Sequence, residues 1–221
     1  MPNANTKNKG RFIVLEGIDG AGTTTHVARL ADRLRGLKLP VRTTREPSDG
    51  PIGALVRQVL TGRVIVPGGR APNWATMALL FAADRVDHVE AEIEPWVNEG
   101  GIMVSDRYDA SSLAYQSVSS GRGGTDAVEW IRTLNRDCRR PDLTIVLDVN
   151  FEEAARRRDK RGEAAQLYEQ NEVQRALAVF YRDLAKHLPK DRVTLVDAGG
   201  TIDEVHERIF TAYTRAFSEP T

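Results

Sequence analysis

Residues 12–25 read FIVLEGIDGAGTTT. An apolar run, a glycine-spaced turn and then a stretch of helical character give the order strand, phosphate-binding loop, helix, and this order decides the fold class. Gly17, Gly20 and Gly22 let backbone amides approach phosphate oxygens with no side chain in the way. The helix that begins near Thr23 aims the positive end of its dipole at the same spot. Thr24 stands where the Ser/Thr of G-x-x-x-x-G-K-[ST] ligates Mg²⁺, but Thr23 occupies the lysine position. The plain alternative is a glycine-rich turn with no ligand; the strand before, the helix after and the full glycine spacing weigh against it.

Working outward from this stretch, short apolar runs alternate with helical patterns and no internal repeat appears. Strands are predicted at Phe12–Leu15, Val41–Thr44, Ile102–Ser105, Leu143–Val149 and Val193–Val196. Helices are predicted at Thr23–Leu37, Gly53–Thr61, Asn73–Asn98, Asp126–Asp137, Phe151–Arg161, Glu169–Leu188 and Ile202–Phe217, with Asp203 or Thr201 suited to start the last. That rhythm implies an α/β fold, a parallel sheet covered by helices on both faces. Ligands of such sheets collect beyond the carboxyl ends of the strands, here after Leu15, Thr44, Ser105 and Val149.

The 221 residues, 41% hydrophobic and 28% charged, suit one ordinary globular domain over 11–221, with 1–10 a loose polar tail that lacks the apolar core of a signal peptide. No window approaches the roughly 18 apolar residues of a membrane helix. The lone cysteine, Cys138, excludes an internal disulfide and a cysteine zinc cluster, which makes a cytoplasmic setting the default. With 31 basic and 31 acidic residues, no global charge points to nucleic acid or a membrane surface, and any basic site must be local.

The strand ends supply the candidates. TTREP places Arg45 and Glu46 at a carboxyl end broken off by Pro47, either facing the crevice or forming a surface ion pair. IMVSDRY places Asp106 where a carboxylate beside the phosphate loop can hold Mg²⁺, and Arg107 where a guanidinium fork can meet a phosphate; a helix cap and a surface charge are the simpler readings. In LLFAADRVDH, Phe81 and Arg85 share a helix face, suited to stack on a base and donate to its edge, although Trp74, Met77 and Phe81 also make a core stripe. In DASSLAYQ, Ser111, Ser112 and Tyr115 fall together at helical spacing close behind Arg107.

FIVLEGIDGAGTTT, TREP, LLFAADRVDH, SDRYDASSLAYQ, GRG and PDLTIVLDV, in this order, resemble a thymidylate kinase from about Arg11 to about Arg208. The resemblance implies a P-loop nucleoside monophosphate kinase fold with five parallel strands and a mobile lid at about 154–168. It implies transfer of the γ-phosphoryl of ATP to dTMP, dependence on Mg²⁺, and a homodimer. By the same resemblance Gly17, Ile18, Asp19, Gly20, Ala21, Gly22, Thr23, Thr24 and Thr25 hold ATP, and Thr24 and Asp106 hold the metal. Asp19 lies by the dTMP sugar and phosphate, and Arg45 and Arg107 contact that phosphate. Phe81 stacks on thymine, Arg85 donates to its O4, Ser111, Ser112 and Gln116 line the base pocket, and Tyr115 crowds out a ribose 2′-hydroxyl. The expected catalytic set is Asp19, Arg107, Arg157 and Arg161.

Two departures remove cations from the ATP side: Thr23 in the loop, and Leu167 where relatives commonly place an arginine. By analogy with loss of one preorganised donor, the missing lysine would cost about 10²–10³ in turnover, roughly 3–4 kcal/mol, unless another cation serves. AARRRDKRGEAAQLYE offers Arg156, Arg157, Arg158, Lys160 and Arg161; Arg157 and Arg161, four apart, would face the phosphates together, the alternative being a solvated basic face. A slow dTMP kinase, a kinase for another deoxynucleotide and a kinase-derived nucleotide sensor therefore stand as the readings, the enzyme favoured.

Overall fold

The computed structural model describes residues 9–121, 126–160, 167–168 and 170–218. Five strands, β1 (Arg11–Gly17), β2 (Val41–Arg45), β3 (Ile102–Asp106), β4 (Leu143–Asp148) and β5 (Val193–Asp197), form one sheet in the order β2-β3-β1-β4-β5. Every pairing is parallel. β1 lies at the centre because its apolar run suits burial on both faces. Successive side chains of a strand point to opposite sides, so Ile13 and Leu15 enter one core while Phe12 and Val14 enter another.

Helices cover both faces: α1 (Thr23–Gly36), α2 (Pro51–Leu60), α3 (Trp74–His88), α4 (Glu94–Asn98), α5 (Asp109–Ser119), α6 (Asp126–Leu134), α7 (Phe151–Asp159), α8 (Asn171–Arg182), α9 (Leu184–His187) and α10 (Ile202–Phe217). The five expected strands and the α/β class are present. The expected single helix Asn73–Asn98 is α3 and α4 joined by a π turn at Val89–Ile93. Pro95 has no N–H, and its ring would crowd the carbonyl of Ala91 in a regular α-helix, so the widened turn just before it relieves both. The expected helix Glu169–Leu188 divides at Asp183, whose N–H bonds back to Val179 and Phe180 and closes α8. Thr201, not Asp203, caps α10, in a reciprocal capping box with Glu204. Helix α5 was visible only as the spacing of Ser111, Ser112 and Tyr115.

The connections fix where a ligand goes. From β1 the chain runs through α1 to the edge strand β2; from β3 it crosses by α5 and α6 to β4 on the other side. The adjacent ends of β1 and β3 therefore face a crevice between connections leaving in opposite directions, the switch point of an open α/β sheet. Register places Leu15 beside Asp106 there. No described helix is long and apolar enough to cross a membrane.

Candidate functional site

At the end of β1 the glycine loop turns into α1. Gly20 has φ +91°, and a Cβ there would stand 2.3 Å from the carbonyl oxygen of Ala154 on α7. Only glycine fits, so the loop is pressed against α7. Gly22, at φ +93°, is the N-cap of α1 and offers no side-chain oxygen, which leaves the first-turn amides open to an anion. Thr23 is buried, and no cation comes from its position.

Across the crevice, Thr24 Oγ1 donates to Asp106 Oδ2 at 2.5 Å, while Asp106 Oδ1 is buried and has no hydrogen-bond partner among the described residues. An acceptor-only carboxylate oxygen left unpaired beside a hydroxyl fits a hard cation, which takes few protein ligands when a substrate phosphate supplies the rest. Among the described residues no cluster of three His, Cys, Asp or Glu offers another metal site.

Asp19 is the hub of the loop. Its Oδ1 accepts from Arg107 Nη2 (2.6 Å) and the Tyr115 hydroxyl (2.9 Å), and its Oδ2 from Gln174 Nε2 (2.7 Å). Its carbonyl accepts from Arg158 Nη1 at 2.7 Å. Arg107 also donates to the Gly17 carbonyl (2.9 Å) and the Ser111 hydroxyl (3.2 Å), so the guanidinium is fixed at the join of β1, β3 and α5. Burial alone would lower the Arg107 pKa, but the surrounding tyrosines and Asp19 carry it well above the ordinary value.

Beyond Arg107 lies a slot between α3 and α5. Arg85, at 1% exposure, donates through Nε (2.9 Å) and Nη2 (2.6 Å) to Glu46 Oε2, through Nη1 to Asn135 (2.6 Å) and through Nη2 to Ser112 (3.1 Å). Glu46 in turn meets His88 Nδ1 at 3.3 Å, and His88 Nε2 meets Thr44 Oγ1 at 2.7 Å. Burial pulls the His88 pKa down, but hydrogen bonds to Glu46 and Glu92 carry it up to about 9. Gln116 leaves its buried Oε1 without a partner among the described residues. The Tyr168 ring packs edge-on against Tyr115 at 5.4 Å, and Leu167 N–H reaches the Leu60 carbonyl at 3.3 Å, so this segment roofs the slot.

Loop and slot open into one cavity of about 690 Å³, within the range of small-molecule sites. Its loop end is walled by Gly22, Thr24, Thr25, His26, Arg157 and Thr201, its slot end by Phe81, Arg85, Ser112, Tyr115 and Gln116. Asp19, Gly20, Thr23, Arg107 and Ser111 also line it. Ile18 and Ala21 are buried beneath the loop, and Gly17 ends β1 under it. Arg45 is not brought in: its side chain is 61% exposed and pairs with Asp49, while the neighbouring Glu46 turns inward. Arg157 pairs with Glu153 and donates to the Ala198 carbonyl. Arg161, the part 161–166 of the expected lid, Glu169 and most of the GRG stretch (122–123) lie outside the described residues, as does 1–8 of the tail.

Sequence reading missed Glu16, Asn135, Arg158 as a partner of the loop, and Gln174 with Tyr181. Glu16 had a signal, a charge closing an otherwise apolar strand, and Gln174 and Tyr181 are seven apart on one face of α8. Asn135 had none.

The family model described as thymidylate kinase matches residues 15–209. The chain is 39% identical over 201 residues to a probable thymidylate kinase of Pyrococcus abyssi, covering 91% of this chain and 94% of that one. It is 39% identical over 207 residues to a probable thymidylate kinase of Pyrobaculum calidifontis, with 94% and 97% covered. It is 36% identical over 216 residues to a thymidylate kinase of Syntrophotalea carbinolica, with 95% and 97% covered.

Proposed function

This chain belongs to the thymidylate kinase family, and from that premise we propose how it works: it transfers the γ-phosphoryl group of ATP to dTMP, giving ADP and dTDP. The observation that carries this reading is the shared cavity, with an anion-binding loop at one end, an aromatic and guanidinium slot at the other, and Arg107 with Asp19 between them. Phosphoryl transfer asks mainly for two phosphates in line and charge-stabilising donors around them.

In this reading the loop amides and the start of α1 hold the ATP phosphates. Arg107, fixed on Asp19 and Ser111, meets the dTMP phosphate. Phe81 stacks on thymine. Hydrogen bonds already engage four of the five N–H groups of Arg85, and its remaining N–H, with the Ser112 hydroxyl and Gln116, faces the base edge. Tyr115, bonded to Asp19, fills the space a 2′-hydroxyl would need. Thr24 and Asp106 would hold Mg²⁺, which when bound neutralises charge on the donor phosphates. Arg157 is the described arginine in the loop-side wall and takes the missing lysine's part; Arg161 is its proposed companion. Arg45 would have to leave Asp49 to reach the acceptor phosphate.

We read the enzyme as cytoplasmic and homodimeric. Leu79 and Val86, seven apart on α3, are each about half exposed and suit an isologous helix contact. Light scattering is expected to give twice the 24.5 kDa chain mass; a monomer at all concentrations would overturn that part.

The direct test of function is a panel of nucleoside monophosphates with ATP and Mg²⁺, read by chromatography. dTDP is the expected main product; a different diphosphate, or none, would contradict the assignment. Thr23 favours one second reading, a nucleotide sensor that binds both ligands and turns over slowly.

A further inference from the structure

Glu16, the penultimate residue of β1, is a carboxylate with no exposed surface and no part in the scheme above. Four donors from other elements converge on it. Oε1 accepts the backbone N–H groups of Tyr108 (2.8 Å) and Ser111 (3.2 Å), and Oε2 accepts the hydroxyls of Ser111 (2.7 Å) and Tyr181 (3.0 Å). Tyr108 is the N-cap of α5 and its own side chain makes no capping bond. Glu16 thus caps α5 from a position 92 residues away; burial pushes its pKa up to about 7 against the pull of Arg107 and these donors, and above that pH its negative charge also complements the helix dipole.

A cap alone needs only an oxygen, as serine or asparagine supplies elsewhere. What a buried charge adds is found at the residue before the cap. Arg107 has φ +72°, uncommon for any residue but glycine, and such a conformation persists only where the surroundings dictate it. Its N–H is held by the Leu15 carbonyl (3.0 Å), its carbonyl by the Ser105 hydroxyl (2.7 Å), and the next N–H by Glu16. Ser111 spends its hydroxyl proton on Glu16, so a lone pair is left to accept Arg107 Nη1 at 3.2 Å. Glu16 therefore acts on both ends of Arg107 without a hydrogen bond to it: on the backbone through the next N–H, and on the head through Ser111, one of three partners that hold the guanidinium beside Asp19 and the Gly17 carbonyl.

We propose that Glu16 is a positioning residue for phosphate recognition: through the Tyr108 amide and the Ser111 hydroxyl it aims the Arg107 guanidinium, and so governs binding of the phosphorylated acceptor rather than of its nucleoside. The proposal rests on the reading that Arg107 meets the acceptor phosphate. Glu16→Gln keeps a carbonyl oxygen for the two amides but presents N–H to the hydroxyls, which turns the Ser111 proton toward Arg107.

Calorimetry with dTMP, thymidine and a non-hydrolysable ATP analogue separates the roles. Glu16→Gln is expected to weaken dTMP about tenfold while thymidine and the ATP analogue change less than about twofold. In an Arg107→Met background the same substitution adds less than about twofold. Equal losses for dTMP and thymidine would make Glu16 a structural cap of α5 and overturn the proposal, as would undiminished dTMP binding. Should Glu16→Gln not fold, Glu16→Asp, whose shorter side chain keeps the charge but draws the carboxylate back from Ser111 and leaves Ser111 itself intact, carries the test with the same two criteria. If Arg107→Met alone leaves dTMP binding intact, the reading of Arg107 itself falls, an outcome distinct from the failure of Glu16.

Discussion

At the scale of single residues, the proposed reading makes Thr23 a missing cation on the ATP side of the cavity, and the size of that deficit can be measured. Thr23→Lys is expected to raise turnover with ATP and dTMP, by up to about 10²–10³ if Arg157 compensates poorly and by little if it compensates well. A coupled assay of ADP release decides; a silent wild type with no gain in the variant would contradict catalysis and favour the sensor. The slot between α3 and α5 carries its own signature in His88. Its folded pKa, about 9, lies above the ordinary 6.5 because Glu46 and Glu92 hold the proton. Its stabilising contribution, on the order of 3 kcal/mol, is complete below about pH 6.5 and lost as pH rises through 9. Denaturant melts at pH 7 and 10 should show a larger loss for wild type than for His88→Gln, and equal losses would contradict the ion-paired histidine. The threonine at position 23 and the shared helix face of Phe81 and Arg85, which both line the cavity, were legible in the sequence. That Glu46 and not Arg45 turns inward was not, because adjacent strand residues point to opposite sides and the letters do not say which side is the crevice.

At the scale of elements, the phosphate loop works as a joint between β1, α1 and α7. Gly20→Ala places a methyl 2.3 Å from the Ala154 carbonyl at a φ that favours glycine. The variant is expected to lose about tenfold or more in affinity for an ATP analogue, since the loop must lift from α7, while dTMP binding is largely kept. Calorimetry checks it, and unchanged ATP affinity would show that the contact is dispensable. The alternation of strands and helices was readable because each strand is a short buried apolar run and each helix repeats its apolar face. The π turn before Pro95 and the break at Asp183 were not, since both interrupt patterns that continue on either side. Helix α5 was hidden for a different reason: its cap comes from Glu16, far away in sequence.

At the scale of the molecule, the sheet order brings the segments that follow β1, β2 and β3 together with α1, α2, α3, α5, α7 and α10, and the cavity lies where they meet at one switch point. The resemblance in the motifs anticipated much of the cavity lining, though Arg45 stays outside it and Arg161 lies outside the described residues. The buried scaffolding of Glu16, Asn135, Tyr181 and Gln174 depended on contacts between elements distant in sequence; local pattern marked Glu16 and the face of α8 but not their partners, and gave no sign of Asn135. The central claim is that one cavity takes both nucleotides end to end. A bisubstrate molecule, adenosine joined to thymidine through an oligophosphate, tests it most directly by competition calorimetry. It should bind one per chain, more tightly than the ATP analogue or dTMP alone, and exclude both. If either nucleotide still bound at saturation with the bisubstrate molecule, the two ends would not be one site.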